Sequence, residues 1–440
     1  MTTLIPKFDL MNGGSTPAGA INRPINQKLS DSISVFDFGA KGDGVTDDTA
    51  AFNAALSSGY KLINVPATTT GYLIAGGIAM PTFTSLIADP VRTPENSYSG
   101  AEGNNNGVTL LLTSTTSAGI TCYGANAIAG IRFFYPNQTD TNPPITYPAT
   151  ILGSHGSYDV TISNCCLVNS YIGIQFTDNH GRIRIKDCTI WGLLTSIWFD
   201  QHYDVSFIDT VNLYPILSNY STAVGSSYEF TINNGTGIRL QRCDNVMVSN
   251  VFCIFKDIGI HFDSSTYGTT YGNFNNVALE SCQVNVYVTA VNAENGVTFT
   301  NSKFTVSLGA PLFTYGRNFF WPSGVGIITL SACNFWGDLS LNHIYAEVTG
   351  SQLMINSCSF YGGLTSIPGN IGSHIKLTNS PLVAITGCVF ETPNSPAKNL
   401  DLTGMTHNLI FTDSILPTGG AVVSNPTPVT LIGNATNMNA

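Results

Sequence analysis

Ile162-Ser-Asn-Cys-Cys-Leu167 and Ile185-Lys-Asp-Cys-Thr-Ile190 share one pattern: an apolar residue, two polar ones, a cysteine slot, a variable position and a second apolar residue. Leu279-Glu-Ser-Cys-Gln-Val284, Leu330-Ser-Ala-Cys-Asn-Phe335, Ile355-Asn-Ser-Cys-Ser-Phe360 and Ile385-Thr-Gly-Cys-Val-Phe390 repeat it. Four further copies place Ile131, Val251, Ser302 and Ser414 in the slot, and a degraded copy, Phe207-Ile-Asp-Thr-Val-Asn212, places Thr210 there. Successive slots are separated by 20 to 41 residues, the period of a stacked array. Each copy alternates like a short strand between Gly, Asn, Asp and Ser, with no helical period. Parallel strands stacked about 4.8 Å apart bring every slot above the last. The fold expected is all-β: a right-handed parallel β-helix solenoid with insertions in its turns and a short N-terminal capping helix.

Composition agrees. The chain has 440 residues, of which 10% are charged, and 43 glycines. Polar exposure therefore comes from amides and hydroxyls in turns. The net charge of −10 leaves no basic footprint for nucleic acid, and no apolar run is long enough to span a bilayer. The first residues lack the apolar core of a signal peptide, so folding in a cytoplasm is expected. Ten cysteines there call for packing rather than disulfides. No C-x-x-C pair suggests zinc, and the adjacent Cys165 and Cys166 should face opposite sides.

The most specific stretch is Val35-Phe-Asp-Phe-Gly-Ala-Lys-Gly-Asp-Gly-Val-Thr-Asp-Asp-Thr-Ala-Ala-Phe-Asn-Ala-Ala-Leu56. It reads as a strand, a Gly-rich turn and a helix capped by Asp47 or Asp48, with Phe52 and Leu56 on one apolar stripe. This stretch resembles the entrance motif of the pectate-lyase-like superfamily, in the branch of bacteriophage tailspikes and capsule depolymerases. Ile5-Pro-Lys-Phe-Asp-Leu-Met-Asn-Gly-Gly and Ala20-Ile-Asn-Arg-Pro-Ile-Asn-Gln-Lys-Leu29 look like the virion-proximal leader of such spikes. The resemblance implies a homotrimer on a phage tail that binds, and often cleaves, a bacterial surface polysaccharide such as capsule or O-antigen. It also implies contact with other tail proteins through the leader and action at the bacterial cell surface. It supplies no catalytic residues. The divisions expected are a leader at 1–33, a cap with the first rungs at 34–125, the β-helix at 126–416 and a tail at 417–440.

A second strand column suggests where a saccharide binds. Gly173-Ile-Gln-Phe-Thr177, Ser196-Ile-Trp-Phe-Asp200, Gly237-Ile-Arg-Leu-Gln241, Gly259-Ile-His-Phe-Asp263 and Asn285-Val-Tyr-Val-Thr289 alternate inward and outward. Gln175, Trp198, Arg239, His261 and Tyr287 should stack on the outer face, where aromatic rings and cations can bind sugars. Three aromatic-bearing insertions are expected as groove walls: Tyr214 to Asn234, with Tyr220, Tyr228 and Glu229; Ser264 to Asn275, with Tyr267; and Pro311 to Gly324, with Phe320 and Trp321.

Asp200 and Asp263 hold equivalent positions two rungs apart, about 9.6 Å between backbones. Side-chain reach from there meets the roughly 6.5–9.5 Å separation of an inverting glycosidase. They are the expected catalytic pair of an endo-glycosidase, with Glu229 as substitute if its loop folds back. The alternatives are a lyase, with His261 or a Tyr phenolate as base and Arg239 facing a uronate carboxylate, and a glycan-binding tail protein without chemistry. No acidic cluster on adjacent rungs suggests calcium, and no cofactor is expected.

Overall fold

The computed structural model describes residues 31–89, 107–214, 222–306, 316–337 and most of 340–416, with short pieces nearer the two ends. Most of the 1–33 leader and the 417–440 tail, along with Tyr220, lies outside the described residues. Strands pair in parallel from turn to turn, building three sheets around one core in a right-handed solenoid. Arg184–Phe199 traces a full turn: Ile185 lies in sheet 1, Cys188 to Ile190 in sheet 2 and Thr195 to Phe199 in sheet 3. The division expected between 125 and 126 coincides with no break. Ala127–Ala129 pairs with Ser85 to Ile87 on one side and Thr161 to Ser163 on the other.

The corner from sheet 1 to sheet 2 is made by one residue in left-handed backbone on each turn. Asn164, Asp187, Thr210, Asn250, Asn276 and Asn301 hold φ between 51° and 54°. Asn and Asp tolerate this conformation best, and their amides tie the rungs: Asn276 Nδ2 donates to Asn250 Oδ1 at 2.8 Å. So tight a corner leaves no room for insertions, and among the described residues these leave from the other two corners.

The slot is the residue that follows this corner, and two expectations about it need correction. Cys188, Val211, Val251 and Val277 pair in register, so Val211 rather than Thr210 fills its rung. Thr210 is the corner residue itself, and it is exposed. Cys282 follows a different left-handed residue, Ser281, at the corner from sheet 2 to sheet 3. Its local pattern matches the ladder because both corners use the same backbone device. All ten cysteines are free and buried, and burial pushes the Cys122 and Cys166 thiols up to about 12. Inward phenylalanines stack likewise: Phe304, Phe335, Phe360 and Phe390 lie 5.0, 5.0 and 4.7 Å apart between ring centres.

The helix α1 (Ile25–Leu29) precedes the solenoid, and Arg23 beside it pairs with Asp31 at 2.7 Å. The helix α2 (Thr49–Ser57) follows the Gly-rich turn with Phe52 and Leu56 buried. Its two aspartates divide the work. Asp47 accepts from the Thr49 N–H at 3.0 Å, while buried Asp48 accepts from the N–H groups of Lys41 and Gly42, fixing the turn to the helix.

The helix α3 (Ser227–Asn234) lies in the sheet 2 to sheet 3 connection and makes a second apolar core outside the solenoid. Phe230 meets the outward Phe134, Cys166, Val168, Trp191 and Leu193, which explains why Cys166 is buried although it points away from Cys165. Beneath the helix, Lys256 is fully buried, with Nζ 2.5 Å from the Gly192 carbonyl and 3.6 Å from the Trp191 ring centre.

Close stacking at the start of sheet 3 gives one prediction. A Cβ on Gly237 would stand 2.4 Å from the Gly259 carbonyl oxygen and 2.7 Å from Cys253 Sγ. Gly237→Ala is expected to destabilise the solenoid by about 1–3 kcal/mol, the cost of overpacking. A chemical-denaturation midpoint equal to that of the parent protein would refute it.

Candidate saccharide-binding site

Sheet 3 carries the outward column. Gln175 pairs with Trp198, Trp198 with Arg239, Arg239 with His261 and His261 with Tyr287. The column continues through Phe320, Tyr345, Lys376 and Asp401. Over eight rung steps this makes a ribbon about 38 Å long. Sequence reading missed its lower half because Phe320 was assigned to an insertion. Gly316–Trp321 is instead a strand of sheet 3, with Phe319 and Trp321 buried and Phe320 outward. Of that insertion, 311–315 lie outside the described residues. The alternating Phe319-Phe320-Trp321 and Ile344-Tyr345-Ala346 were the available signal.

The rings stack on each other along the axis. His261 and Tyr287 lie 5.0 Å apart at 21°, Tyr287 and Phe320 5.5 Å apart at 13°, and the Arg239 guanidinium sits 4.9 Å over Trp198. Their faces are largely taken by neighbours, so a glycan lying on this ribbon meets ring edges and polar tips.

A closed network links the column to the corner beside it. The Trp198 indole N–H donates to Gln241 Oε1 at 2.8 Å, and Arg239 donates to Asp263 Oδ2 at 2.6 Å. Gln241 Nε2 stands 3.5 Å from the same Asp263 oxygen, while Ser264 N–H and Thr289 Oγ1 donate to the other. Burial raises the Asp263 pKa, but the bonds from Arg239 and Ser264 and the Arg239 charge outweigh it, leaving the group below its ordinary value. Asp263 is thus a carboxylate at neutral pH. Burial lowers His261 to about 4, so its ring is neutral.

Asp200, Gln241 and Asp263 hold equivalent places at the corner from sheet 3 to sheet 1. Their N–H groups donate to Phe176, Phe199 and Leu240 carbonyls in turn. Asp200 is 8% exposed, and its Oδ1 accepts from Gln201 N, Arg242 N and Ser265 Oγ at 2.8, 3.0 and 2.9 Å. The Ser265 bond ties the 264–271 loop, which carries Tyr267, to the edge of sheet 3.

Two other candidates lie elsewhere. Glu229 is in the first turn of α3, at the opposite edge of sheet 3 from Asp200 and Asp263. Its Oε2 accepts from Gly225 N at 2.7 Å and Asn142 Nδ2 at 3.1 Å, bonds that hold its pKa down. It ties the 135–148 connection to the helix, and its loop does not fold back to the aspartates. Tyr228 is fully buried, edge-on to Phe255 at 5.8 Å, and lines no groove. Both were expected at the site because helix packing against sheet 2 is invisible in the loop's composition. Among the described residues no cluster of three or more His, Cys, Asp or Glu side chains could hold a metal ion.

The fold is a parallel β-helix whose sheet 3 carries a continuous outward ribbon. Residues 32–142 match a family model described as rhamnogalacturonase A/epimerase, pectate lyase-like. Similar proteins include a phage tail spike protein and a phage pre-neck appendage protein. The tail spike protein of an Escherichia phage is 51% identical over 51 residues, covering 12% of this chain and 6% of that protein. The pre-neck appendage protein of Bacillus phage phi29 is 28% identical over 219 residues, covering 49% of this chain and 21% of that protein. The chain thus matches well under a quarter of the length of either relative. A solved N-terminal fragment of phi29 gene product 12 superposes with a TM-score of 0.59 at 13% identity, covering 91% of this chain and 73% of that one.

Proposed function

We propose that this chain is a phage tail spike that binds a bacterial surface polysaccharide along the outer face of sheet 3 and cleaves it by hydrolysis. The observation that carries the reading is the unbroken outward ribbon, with insertions at the two corners that flank it. Homology to tail spike and neck appendage proteins supports a virion location for such a surface. Attachment to other tail proteins at the N-terminal end and a trimeric spike are the expected assembly.

In the hydrolytic reading Asp263, kept ionised by Arg239, is the base that draws a proton from water. Asp200, at the equivalent place two turns earlier, is the group assigned to protonate the leaving oxygen. A lyase is less well supported, because Arg239 already faces Asp263 rather than a site for a uronate carboxylate. Binding without cleavage has its own supporting observation: both carboxylates are extensively hydrogen-bonded within the protein. A panel of purified capsules and O-antigens, followed by reducing-end release and chain shortening, tests these readings. Asp263→Asn is expected to bind the cleaved polysaccharide while losing at least about a hundredfold in turnover. Undiminished turnover in both Asp263→Asn and Asp200→Asn would end the carboxylate mechanism, and an ultraviolet-absorbing unsaturated product would replace it with elimination.

A further inference from the structure

Beside the ribbon, the sheet 3 to sheet 1 corner carries aromatic rings whose faces are not stacked on each other. Tyr203 is 42% exposed and Tyr267 55% exposed. Tyr203 follows His202, whose bridge to Cys243 sets Tyr203 beside the next turn. The Arg242 guanidinium lies 5.6 Å from the Tyr203 ring centre, held from behind by Asp244 at 2.8 Å. Gly268, next to Tyr267, closes over Arg242: a Cβ there would stand 3.2 Å from the Arg242 Cδ and guanidinium. Arg242 therefore lies between the Tyr203 ring and the loop that carries Tyr267.

An earlier turn repeats the arrangement. Arg182 lies 5.1 Å from the Tyr158 ring centre and bonds Asp159 and Asp204 at 2.6 to 2.8 Å. Gly181 between Tyr158 and Asp204 has no room for a side chain, since its Cβ would fall 2.7 Å from the Tyr158 ring. Each tyrosine thus rests on an arginine that is itself neutralised by a carboxylate.

We propose that Tyr203 and Tyr267, backed by Arg242 and the Asp200–Ser265 clasp, form a platform that takes an uncharged hexopyranose unit. The inference rests on the polysaccharide-binding reading and adds the position and charge class of one subsite. A pyranose ring presents axial C–H bonds to an aromatic face and hydroxyls around its rim. The local charges favour a neutral ring. Arg182 and Arg242 are matched by Asp159, Asp204 and Asp244, with Asp200 adjoining, so carboxylates outnumber the arginines that back the rings. Asp200 then acts on this subsite as a positioning residue, through Ser265 and the loop that carries Tyr267.

Saturation-transfer NMR on the whole chain with cellopentaose, maltopentaose and pentagalacturonate tests this. At least one neutral pentasaccharide should bind, and Tyr203→Ala with Tyr267→Ala should weaken it about tenfold or more. Both rings are exposed, so the melting temperature should stay close to that of the parent. Ser265→Ala, which removes the bond to Asp200 without touching either ring, should give an intermediate loss. Unchanged affinity in the double variant, binding of pentagalacturonate alone, or no neutral probe bound to the parent would each overturn the platform. A bacterial polysaccharide bound equally well by parent and double variant would remove the platform and leave the broader reading standing. A parent chain that binds no bacterial polysaccharide would remove the broader reading.

Discussion

The solenoid is expected to lose its stability between pH 6.5 and about 4, above the range in which carboxylates usually drive acid unfolding. His180, His202, His343 and His374 are buried inside it. His343 and His374 stack 5.0 Å apart, and their Nε2 atoms donate to the Tyr361 and Glu391 carbonyls at 3.0 and 3.1 Å. His343 Nδ1 accepts from Asn318 Nδ2 at 2.8 Å, which requires a neutral ring. His202 donates through Nε2 to the Phe176 carbonyl. Burial lowers His180 to about 4, His202 to about 3 and His374 to about 4, and pushes His343 well below its ordinary value.

The unfolded chain therefore binds more protons than the folded one from pH 6.5 downward. Stability is intact above 6.5 and is lost as pH falls towards the folded pKa values. At about 1.4 kcal/mol per pH unit per group, His180, His202 and His374 amount to roughly 8 kcal/mol near pH 4.5, comparable to the whole stability of a domain, and His343 acts in the same direction. Asn285 and Asn318 hold the same column and donate to the Thr305 and Trp336 carbonyls, so asparagine is the natural replacement. His343→Asn with His374→Asn should move the acid midpoint of circular dichroism downward by several tenths of a unit or more. An unshifted midpoint would show that these rings do not govern acid unfolding.

Lys256→Met is expected to stabilise the protein at neutral pH. Burial lowers the Lys256 ammonium to about 7, against 10.5 for an ordinary lysine. Below pH 7 both states carry the proton and the folded state bears the full cost of the buried charge. Between about 7 and 10.5 only the unfolded state retains it, so stability rises with pH across that window. The cost is on the order of 5 kcal/mol at or below pH 7. Methionine fills similar volume against Trp191, and loss of the bond to the Gly192 carbonyl offsets about 1 kcal/mol of the gain. The parent should gain denaturation midpoint from pH 7 to 9 while Lys256→Met shows a flatter profile and a higher midpoint at pH 7. Lys256→Ala should be less stable than Lys256→Met, because it leaves a cavity under α3. A lower midpoint for Lys256→Met at pH 7 would mean that the ammonium contributes more through Trp191 and Gly192 than its burial costs.

The sheet 3 ribbon was legible because alternation along a strand is local: Ile197-Trp198-Phe199 and Ile260-His261-Phe262 state which residues point outward. The same logic brought Asp200 and Asp263 to one corner. It could not show that Arg239 would bond Asp263 or that Ser265 would reach Asp200, since both bonds join residues 24 or more positions apart. Nor could it place Glu229 and Tyr228, whose helix is directed by Phe230 meeting Trp191 and Leu193 across turns.

The strand alternation and the inward or outward sense of most side chains are written in the chain itself, because each is encoded within five or six consecutive residues, and recurrence of that short pattern gives the repeat. Which left-handed corner a given repeat occupies is settled only in the assembled solenoid, and so Thr210 and Cys282 were misplaced by local pattern. The pairing of polar side chains between turns is settled there too. Those choices depend on the energy of stacking one rung on the next, where a shift of a single residue reverses every side chain from core to solvent.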